Sequence, residues 1–326
     1  MSSTMTKSPI GKHPTNHWTY DPETGLIDLS RHSTTSDDRQ TFLTLQTATN
    51  PIRFDPTKSA LVIIDMQNFF LEPALRGQQQ QPSPGIQAAN VLLATGIPAA
   101  RRHGIRVVWV NWGLTDEEVE TMPPAVVKAF DVYESMNNHD NNSNTAVVEQ
   151  NGDQGQGHGQ GAIQIPPKKT KSRIVYKGLG VDLGPIDLGD GTTVDGGRIL
   201  MRDTWNAALY PPLDEEYRKG SADTALPDVW IHKNRMSALW GQGADLEKFL
   251  ETEGITTLFF AGVNTDQCVG GTLMDAFSKG YDCILLRDGV ATSSPGFATE
   301  AWEWNCAYTW GFLSSCEALM NSTTVV

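Results

Sequence analysis

The sequence predicts an α/β fold built on a doubly wound parallel sheet. Short, continuous apolar segments recur along the chain, stretches of helical character separate them, and polar residues follow directly where several of the segments end. Unbroken apolar segments are typical of parallel strands that are buried on both faces, and the helices between them make the crossover connections. In such a sheet we expect the active site at the carboxyl ends of the strands.

Each element follows from this pattern. The first strand is expected over residues 59–64, directly before Asp65, and the second over residues 105–110, directly before Asn111 and Trp112. Further strands are predicted over 229–232, 257–261 and 282–286, and a last one over 307–312. Helices are predicted over 86–103, 243–253, 267–279 and 296–305.

Composition excludes several classes of function. The chain carries 25 Lys and Arg residues against 38 Asp and Glu residues, a formal charge of −13, which is the wrong sign for binding nucleic acid or anionic lipid. No apolar run is long enough to span a membrane, and the first residues lack an apolar signal core. The four cysteines lack the spacing of a structural zinc site and are interpreted as reduced thiols. We therefore expect a cytoplasmic protein with a small-molecule substrate.

Two segments depart from the globular pattern. Residues 1–50 are polar and are predicted to be an N-terminal arm that lies on the body of the protein or on a partner subunit. Residues 51–326 are predicted to form a single hydrolase domain. Within it, residues 133–165 are rich in Asn, Asp, Gln and Gly, which cannot bury enough apolar surface to order themselves, and are interpreted as an insertion.

Three potentially reactive groups follow predicted strands. Asp65, Lys233 and the segment 264–268 each come directly after an apolar segment, so a parallel sheet brings them to one edge. Thr265 is predicted to cap the next helix, which places Cys268 in its first turn, where the helix dipole favours a thiolate. Asp65 would accept the thiol proton, and Lys233 would keep Asp65 ionised and lower the pKa of the thiol.

Taken singly, each residue also has a structural explanation. A cysteine near the start of a helix is often a small buried apolar residue, an aspartate after a strand is often a turn residue, and a lysine is usually solvated. The coincidence of all three distinguishes Cys268 from the remaining cysteines, which are interpreted as structural: Cys283, Cys306 and Cys316.

Three segments carry a family resemblance: ALVIIDMQNFF, WIHKNRMSAL and FFAGVNTDQCVGGTLMDAFSKGY. They resemble the signature regions of isochorismatase-like cysteine hydrolases over roughly residues 57–315. The resemblance implies a three-layer, six-stranded, Rossmann-like parallel sheet and a catalytic triad of Asp65, Lys233 and Cys268. It also implies a cis peptide between Val263 and Asn264, and an oxyanion hole formed by the amides of Asn264 and Cys268.

The same resemblance implies a reaction class. Family members with the nucleophilic cysteine cleave amide, ureido or carbamoyl C–N bonds through a thioester, and no cofactor is needed. Nicotinamidases of the superfamily add a metal site built on an Asp-x-His motif, which this chain lacks, so we expect no metal. The sequence looks most similar to the ureidoacrylate amidohydrolases. Hydrolysis of a vinyl ether, as in isochorismatases, and a non-catalytic scaffold are the alternatives.

Candidate substrate-binding residues lie near the predicted strand ends or are tryptophans elsewhere in the chain: Asn68, Asn111, Trp112, Trp205 and Trp240. For each tryptophan, packing in the core is the competing explanation. Members of the family are commonly oligomeric, so we also expect a homo-oligomer, a dimer or tetramer.

Overall fold

A computed structural model describes residues 6–31, 41–76, 83–130 and 178–325. The strands are β1 (Ser8–Ile10), β2 (Trp18–Tyr20), β3 (Ile27–Asp28), β4 (Phe42–Leu45), β5 (Ile52–Phe54), β6 (Ser59–Ile64), β7 (Arg106–Trp112), β8 (Pro185–Asp187), β9 (Thr193–Asp195), β10 (Val229–Lys233), β11 (Thr257–Val263), β12 (Asp282–Ala291), β13 (Phe312–Ser314) and β14 (Thr323–Val325). The insertion predicted at 133–165 lies outside the described residues.

The helices complete the inventory. The α-helices are α1 (Asn68–Leu71), α2 (Pro73–Arg76), α3 (Pro84–Val91), α4 (Ile97–His103), α5 (Asp116–Glu120), α6 (Pro124–Phe130), α7 (Pro211–Ser221), α8 (Asp245–Thr252), α9 (Gly270–Lys279), α10 (Gly296–Asn305) and α11 (Cys316–Met320). Turns of 3-10 helix cover Pro56–Lys58 and Trp205–Ala207, and turns of π-helix cover Leu92–Gly96, Thr265–Val269 and Cys306–Trp310. Within the described ranges, no helix has both the length and the apolar character needed to cross a membrane.

Six parallel strands form the central sheet, in the order β10-β7-β6-β11-β12-β13. In chain order these are the third, second, first, fourth, fifth and sixth strands of the sheet, so the direction of winding reverses between β6 and β11. The predicted fold, a doubly wound six-stranded parallel sheet of the α/β class, is confirmed. Ligands of such sheets bind at the carboxyl ends of the strands where the order reverses.

The central sheet is buried on both faces. Every residue of β6 is buried, and alternate side chains enter different apolar cores: Val62 and Ile64 belong to one core, and Leu61 and Ile63 to the other. Helices α8 and α9 contribute apolar side chains to the first core, and α3, α4 and α11 contribute to the second. This two-sided burial explains why the strand reads as an unbroken apolar run.

A second, peripheral sheet contains most of the residues that precede the central sheet. Its order is β1-β2-β3-β5-β4-β14, so strands from the two ends of the described chain lie side by side. The ring of Phe54 contacts that of Phe259 edge-on at 5.2 Å between centroids, which packs this sheet against the second core. The segment 1–50, predicted to be an arm, is built into this sheet wherever it is described, and the boundary at residue 50 falls between two strands that pair, β4 and β5.

Asp282 anchors the N-terminal part of this sheet to the central one. The guanidinium of Arg31 donates to both carboxylate oxygens of Asp282, at 2.6 and 2.7 Å, and the indole N–H of Trp18 donates to Oδ1 at 2.8 Å. The hydroxyl of Thr257 donates to Oδ2 at 3.0 Å. Asp282 is buried, so these bonds replace the hydration that its charge would otherwise have.

The last predicted strand is wrong in its position. Residues 306–310, assigned to a strand over 307–312, instead continue α10 as a π-helical turn, and the strand covers Phe312–Ser314. The aromatic residues that suggested a strand pack across helical turns: the rings of Trp302 and Trp310 lie 4.7 Å apart between centroids.

Candidate active site

The reversal of strand order brings Asp65 next to the segment that contains Cys268. Asp65 directly follows β6, and Asn264 directly follows β11, the strand paired with β6 in parallel register. Asp65 has a positive φ of 55°, and its amide donates to the carbonyl of Val110 at 2.9 Å. The chain therefore turns sharply at Asp65 while remaining bonded to the neighbouring strand.

The backbone before Cys268 requires a glycine. Gly262 has φ +111°, and a Cβ atom at this position would lie 2.1 Å from the carbonyl oxygen of Ile64 on β6. One residue further along, the peptide bond between Val263 and Asn264 is cis. The close approach of β11 to β6 thus fixes where the chain leaves the sheet and enters the turn Thr265–Val269 that contains Cys268.

Thr265 is not the cap of this helix, contrary to the prediction. Asn264 occupies the capping position and makes no side-chain cap bond, because its Oδ1 accepts a hydrogen bond from the amide of Ser293 at 3.2 Å. The hydroxyl of Thr265 is buried and has no hydrogen-bond partner among the described residues. The cap therefore lies one residue earlier than expected, and the helical segment that carries Cys268 begins with a π turn.

Asp65 and Lys233 form a buried ion pair. Lys233 is the last residue of β10, and its Nζ lies 2.9 Å from Oδ2 of Asp65, with the two side chains 1% and 0% exposed. The same Nζ lies 4.1 Å from the centroid of the Trp112 ring and donates to the carbonyl of Arg235 at 3.1 Å. Apart from the ion pair, neither oxygen of Asp65 has a hydrogen-bond partner of normal geometry in the described part of the chain.

Cys268 is buried beside this pair and is held as a thiol. Burial and, after it, the negative charge of Asp65 raise its pKa to about 12, and the positive charge of Lys233 only partly opposes them. Lys233 lowers the thiol pKa as expected, but burial outweighs the cation, so the net shift is upward. A nucleophile of this kind must lose its proton as it attacks rather than rest as a thiolate.

Asp65 is suited to accept that proton. Burial raises the pKa of its carboxyl group above the ordinary value, and the charge of Lys233 opposes the rise without cancelling it. A carboxylate whose pKa is raised is a stronger base than one in water, while the lysine keeps its charged form accessible. The pair thus combines a proton acceptor with the positive charge that stabilises it.

The other three cysteines lack this environment. Burial is the main cause that raises the thiol pKa of Cys283, Cys306 and Cys316, and only acidic or thiol neighbours add to it. Among the four cysteines, all of which lie in the described ranges, Cys268 alone has an acid and a cation acting on the same sulfur.

The five predicted substrate-binding residues lie in different places. Asn68 donates from Nδ2 to the carbonyl of Trp205 at 2.9 Å, and both residues line an open cavity of about 400 Å³ together with Arg218. Trp112 lies against Lys233. Asn111 is fully buried, with no hydrogen-bond partner for either polar atom among the described residues.

Trp240 lies at the protein surface. It is 55% exposed, and the guanidinium of Arg235 lies 4.9 Å from its ring centroid. None of the three predicted triad residues lines the cavity beside Asn68.

One buried residue was missed in the sequence. Gln67 accepts from the amide of Trp112 at 3.0 Å and donates to the carbonyl of Trp112 at 2.7 Å and to that of Ala207 at 2.6 Å. It thereby fixes the backbone at the end of β7. Its place two residues after Asp65 is the only signal in the sequence, since a neutral amide carries no charge that would mark it.

No cluster of His, Cys, Asp and Glu side chains that could hold a metal ion occurs within the described ranges. Three of the seven histidines, His32, His139 and His158, lie outside those ranges.

Comparison with known proteins gives a family-model match over part of the chain. The family model described as Isochorismatase domain matches residues 192–305. This span contains Lys233 and Cys268 and begins after Asp65.

Several solved structures match the chain at low sequence identity. A cysteine hydrolase from Pseudomonas syringae pv. phaseolicola has a TM-score of 0.50 and 16% identity, covering 85% of this chain and 95% of that one. N-carbamoylsarcosine amidase from Thermoplasma acidophilum has a TM-score of 0.46 and 16% identity, covering 80% and 97%. Nicotinamidase from Bacillus subtilis has a TM-score of 0.47 and 20% identity, covering 79% and 99%. The match to the cysteine hydrolase supports the same α/β fold.

Proposed function

We propose that this chain is a metal-independent cysteine hydrolase that cleaves a C–N bond of a small amide, ureido or carbamoyl compound through a thioester. The observation that carries the proposal is the buried ion pair of Asp65 and Lys233 beside Cys268. Burying two charges costs roughly several kcal/mol of desolvation free energy. Stability of the core alone therefore does not explain why the pair is buried beside a thiol. The isochorismatase domain match, which includes two of the three residues, agrees with this reading.

The first half of the proposed reaction forms the thioester. Asp65 takes the proton of the Cys268 thiol as the sulfur attacks the carbonyl carbon and a C–S bond forms. The resulting oxyanion is held by the backbone amides of Asn264 and Cys268. The C–N bond then breaks, and Asp65 gives its proton to the departing nitrogen, so that ammonia or an amine leaves.

The second half restores the enzyme. A water molecule gives a proton to Asp65 and attacks the thioester carbon, the C–S bond breaks, and Asp65 returns the proton to the sulfur of Cys268. The products are a carboxylic or carbamic acid and the free thiol. Lys233 keeps its charge throughout and stabilises Asp65 whenever that residue is ionised.

The substrate remains a proposal at the level of chemical class. We propose a small carboxylated or ureido compound, as for the ureidoacrylate amidohydrolases that the sequence resembles. Asn68, Asn111, Trp112, Trp205 and Trp240 are the proposed binding residues. We further propose a cytoplasmic homo-oligomer, a dimer or tetramer, and light scattering coupled to size exclusion would exclude it by showing a monomer.

A second candidate is hydrolysis of a vinyl ether, which the description of the matched domain favours. Such a reaction needs an acid to protonate the substrate, and Asp65 could act in that way, but it needs no nucleophilic sulfur. Cys268 would then be dispensable, so replacing it separates the two candidates.

The test is ammonia release from a panel of ureido acids, carbamoyl amino acids and primary amides, in the presence of a chelator. Cys268→Ala is compared with Cys283→Ala, a matched control in which another buried thiol is removed. We expect release by the wild type and the control, and loss in Cys268→Ala. If isochorismate is cleaved equally well with and without Cys268, the thioester mechanism is wrong.

A further inference from the structure

We infer that Trp112 is a positioning residue for the nucleophile. Its indole N–H donates a hydrogen bond to the Cys268 sulfur as that sulfur becomes a thiolate, and its ring face holds the Lys233 ammonium against Asp65. This role rests on the proposed function, and it differs from the substrate contact expected for Trp112. Three observations support it: the fixed position of the ring, the lysine that lies over it, and a buried donor without a partner.

The ring is fixed on several sides. Trp112 is the last residue of β7 and is fully buried. Gln67 accepts from its amide at 3.0 Å and donates to its carbonyl at 2.7 Å, which ties down the backbone. The ring of Phe130 meets it edge-on, with the centroids 5.2 Å apart. A side chain held in this way can present its N–H and its ring face in constant directions.

The ring face carries the lysine. Nζ of Lys233 lies 4.1 Å from the ring centroid and 2.9 Å from Oδ2 of Asp65, so the ammonium is placed between an aromatic face and a carboxylate. Both attractions are strong in a buried site, because solvent screens them little. The arrangement holds the ammonium of Lys233 against Asp65, so the indole N–H of Trp112 remains as the donor for the Cys268 sulfur.

The indole N–H is the third observation. It is buried and has no hydrogen-bond partner of normal geometry among the described residues, an uncommon condition for a buried donor. Trp112 and Cys268 pack in the same core, and hydrogen bonding from the Trp112 side chain opposes the rise in the pKa of that thiol. A thiolate is a much better acceptor than a thiol, so this donor is used most fully when the sulfur becomes charged.

The groups that act on the sulfur come from separate elements. Asp65 follows β6, Lys233 ends β10 and Trp112 ends β7. Asp266, on the same turn as Cys268, accepts a hydrogen bond from the hydroxyl of Thr292 at 2.6 Å. Trp112 is therefore the neutral donor in a set that otherwise consists of one base and one cation.

The experiment replaces the N–H while keeping a ring. In Trp112→Phe we expect the rate at which iodoacetamide alkylates Cys268, followed on the Cys268 peptide by mass spectrometry from pH 7 to 9, to fall by about tenfold, since hydrogen bonds to charged groups are worth about that much. We expect kcat for ammonia release to fall while KM stays the same. Trp304→Phe, at an exposed ring on α10, is the control and should match wild type in both assays.

A second measurement does not depend on whether Trp112→Phe folds. In protein labelled with ¹⁵N-tryptophan, the Nε1–H resonance of Trp112 should shift between the wild type and Cys268→Ala more than any other indole resonance. An unchanged resonance, or a rise in KM with unchanged alkylation, would show that Trp112 contacts only the substrate and would overturn the inference. Alkylation needs no substrate, so a failure to release ammonia would count against the proposed function alone.

Discussion

Replacing Asp65 by Asn separates the reactivity of the Cys268 sulfur from turnover. The substitution keeps the size of the side chain and removes its negative charge, while Lys233 stays in place with its positive charge. The charge of Asp65 raises the pKa of the Cys268 thiol, and that of Lys233 lowers it. We therefore expect the thiol pKa to fall in Asp65→Asn, although the enzyme loses its base.

The size of the effect follows from the geometry. A like charge a few ångström from an ionisable group typically shifts its pKa by about 1–3 units. Because the thiol has a pKa of about 12, its thiolate fraction near neutral pH rises roughly tenfold for every unit by which that pKa falls. Alkylation of Cys268 should accelerate by at least about tenfold in the variant, while loss of a general base should slow ammonia release by about 10²–10⁴-fold.

The assay measures both rates on the same preparation. Iodoacetamide labelling at pH 7.5 is followed on the Cys268 peptide, and ammonia is measured with the best compound of the substrate panel. Asp245→Asn, which removes an exposed carboxylate on α8, controls for the change in net charge. Slower or unchanged alkylation in a folded Asp65→Asn protein would refute the electrostatic account of this site.

Three further perturbations test the surrounding structure by urea unfolding and proteolysis. Lys233→Met leaves Asp65 buried without its cation, and should lower the free energy of unfolding by about 3–5 kcal/mol and abolish turnover. Gly262→Ala places a methyl group against the backbone of the neighbouring strand at positive φ, and should cost at least about 2 kcal/mol. Arg31→Met removes two bonds to Asp282, and should cost about 3 kcal/mol and expose residues 6–31 to trypsin.

Each perturbation has a matched control at an open position. Lys248→Met breaks an exposed ion pair, Gly241→Ala adds a methyl group where no atom lies within 4 Å, and Arg218→Met removes a guanidinium that is mostly exposed. All three should change the free energy of unfolding by less than about 0.5 kcal/mol. An equal decrease in the free energy of unfolding of a variant and its matched control would show that the change of residue type, and not the contact described, causes the effect.

The central strands were predictable because they are buried on both faces. Residues 59–64 agree with the observed strand at both ends, and 257–261 agree except for two residues added at its end. Strand β7 extends through Asn111 to Trp112, two residues beyond its predicted end. The prediction stopped at the polar Asn111, which is nevertheless buried. Burial of a polar residue depends on what packs around it, which local sequence does not contain.

The peripheral strands and the thiol pKa were not predictable in the same way. Strands such as β2 are three residues long and half-buried, and the bond from Trp18 to Asp282 joins residues 264 positions apart. The net upward shift of the Cys268 thiol pKa was not predictable for a related reason. A helix start and a lysine are local signals, whereas the burial of Cys268 depends on the whole fold. Local chemistry identified the three residues, and tertiary packing decides how they titrate.

The Asp282 anchor also has a consequence for folding. The segment that contains Trp18 and Arg31 leaves the ribosome early, yet its acceptor is made more than 250 residues later, and β4 pairs with β14, which is later still. Contacts of such long sequence separation form slowly, because loop closure must precede them. During synthesis the N-terminal strands can pair with one another, but Trp18 and Arg31 wait for Asp282 and β4 waits for β14, so the peripheral sheet is completed only after β14 has been made.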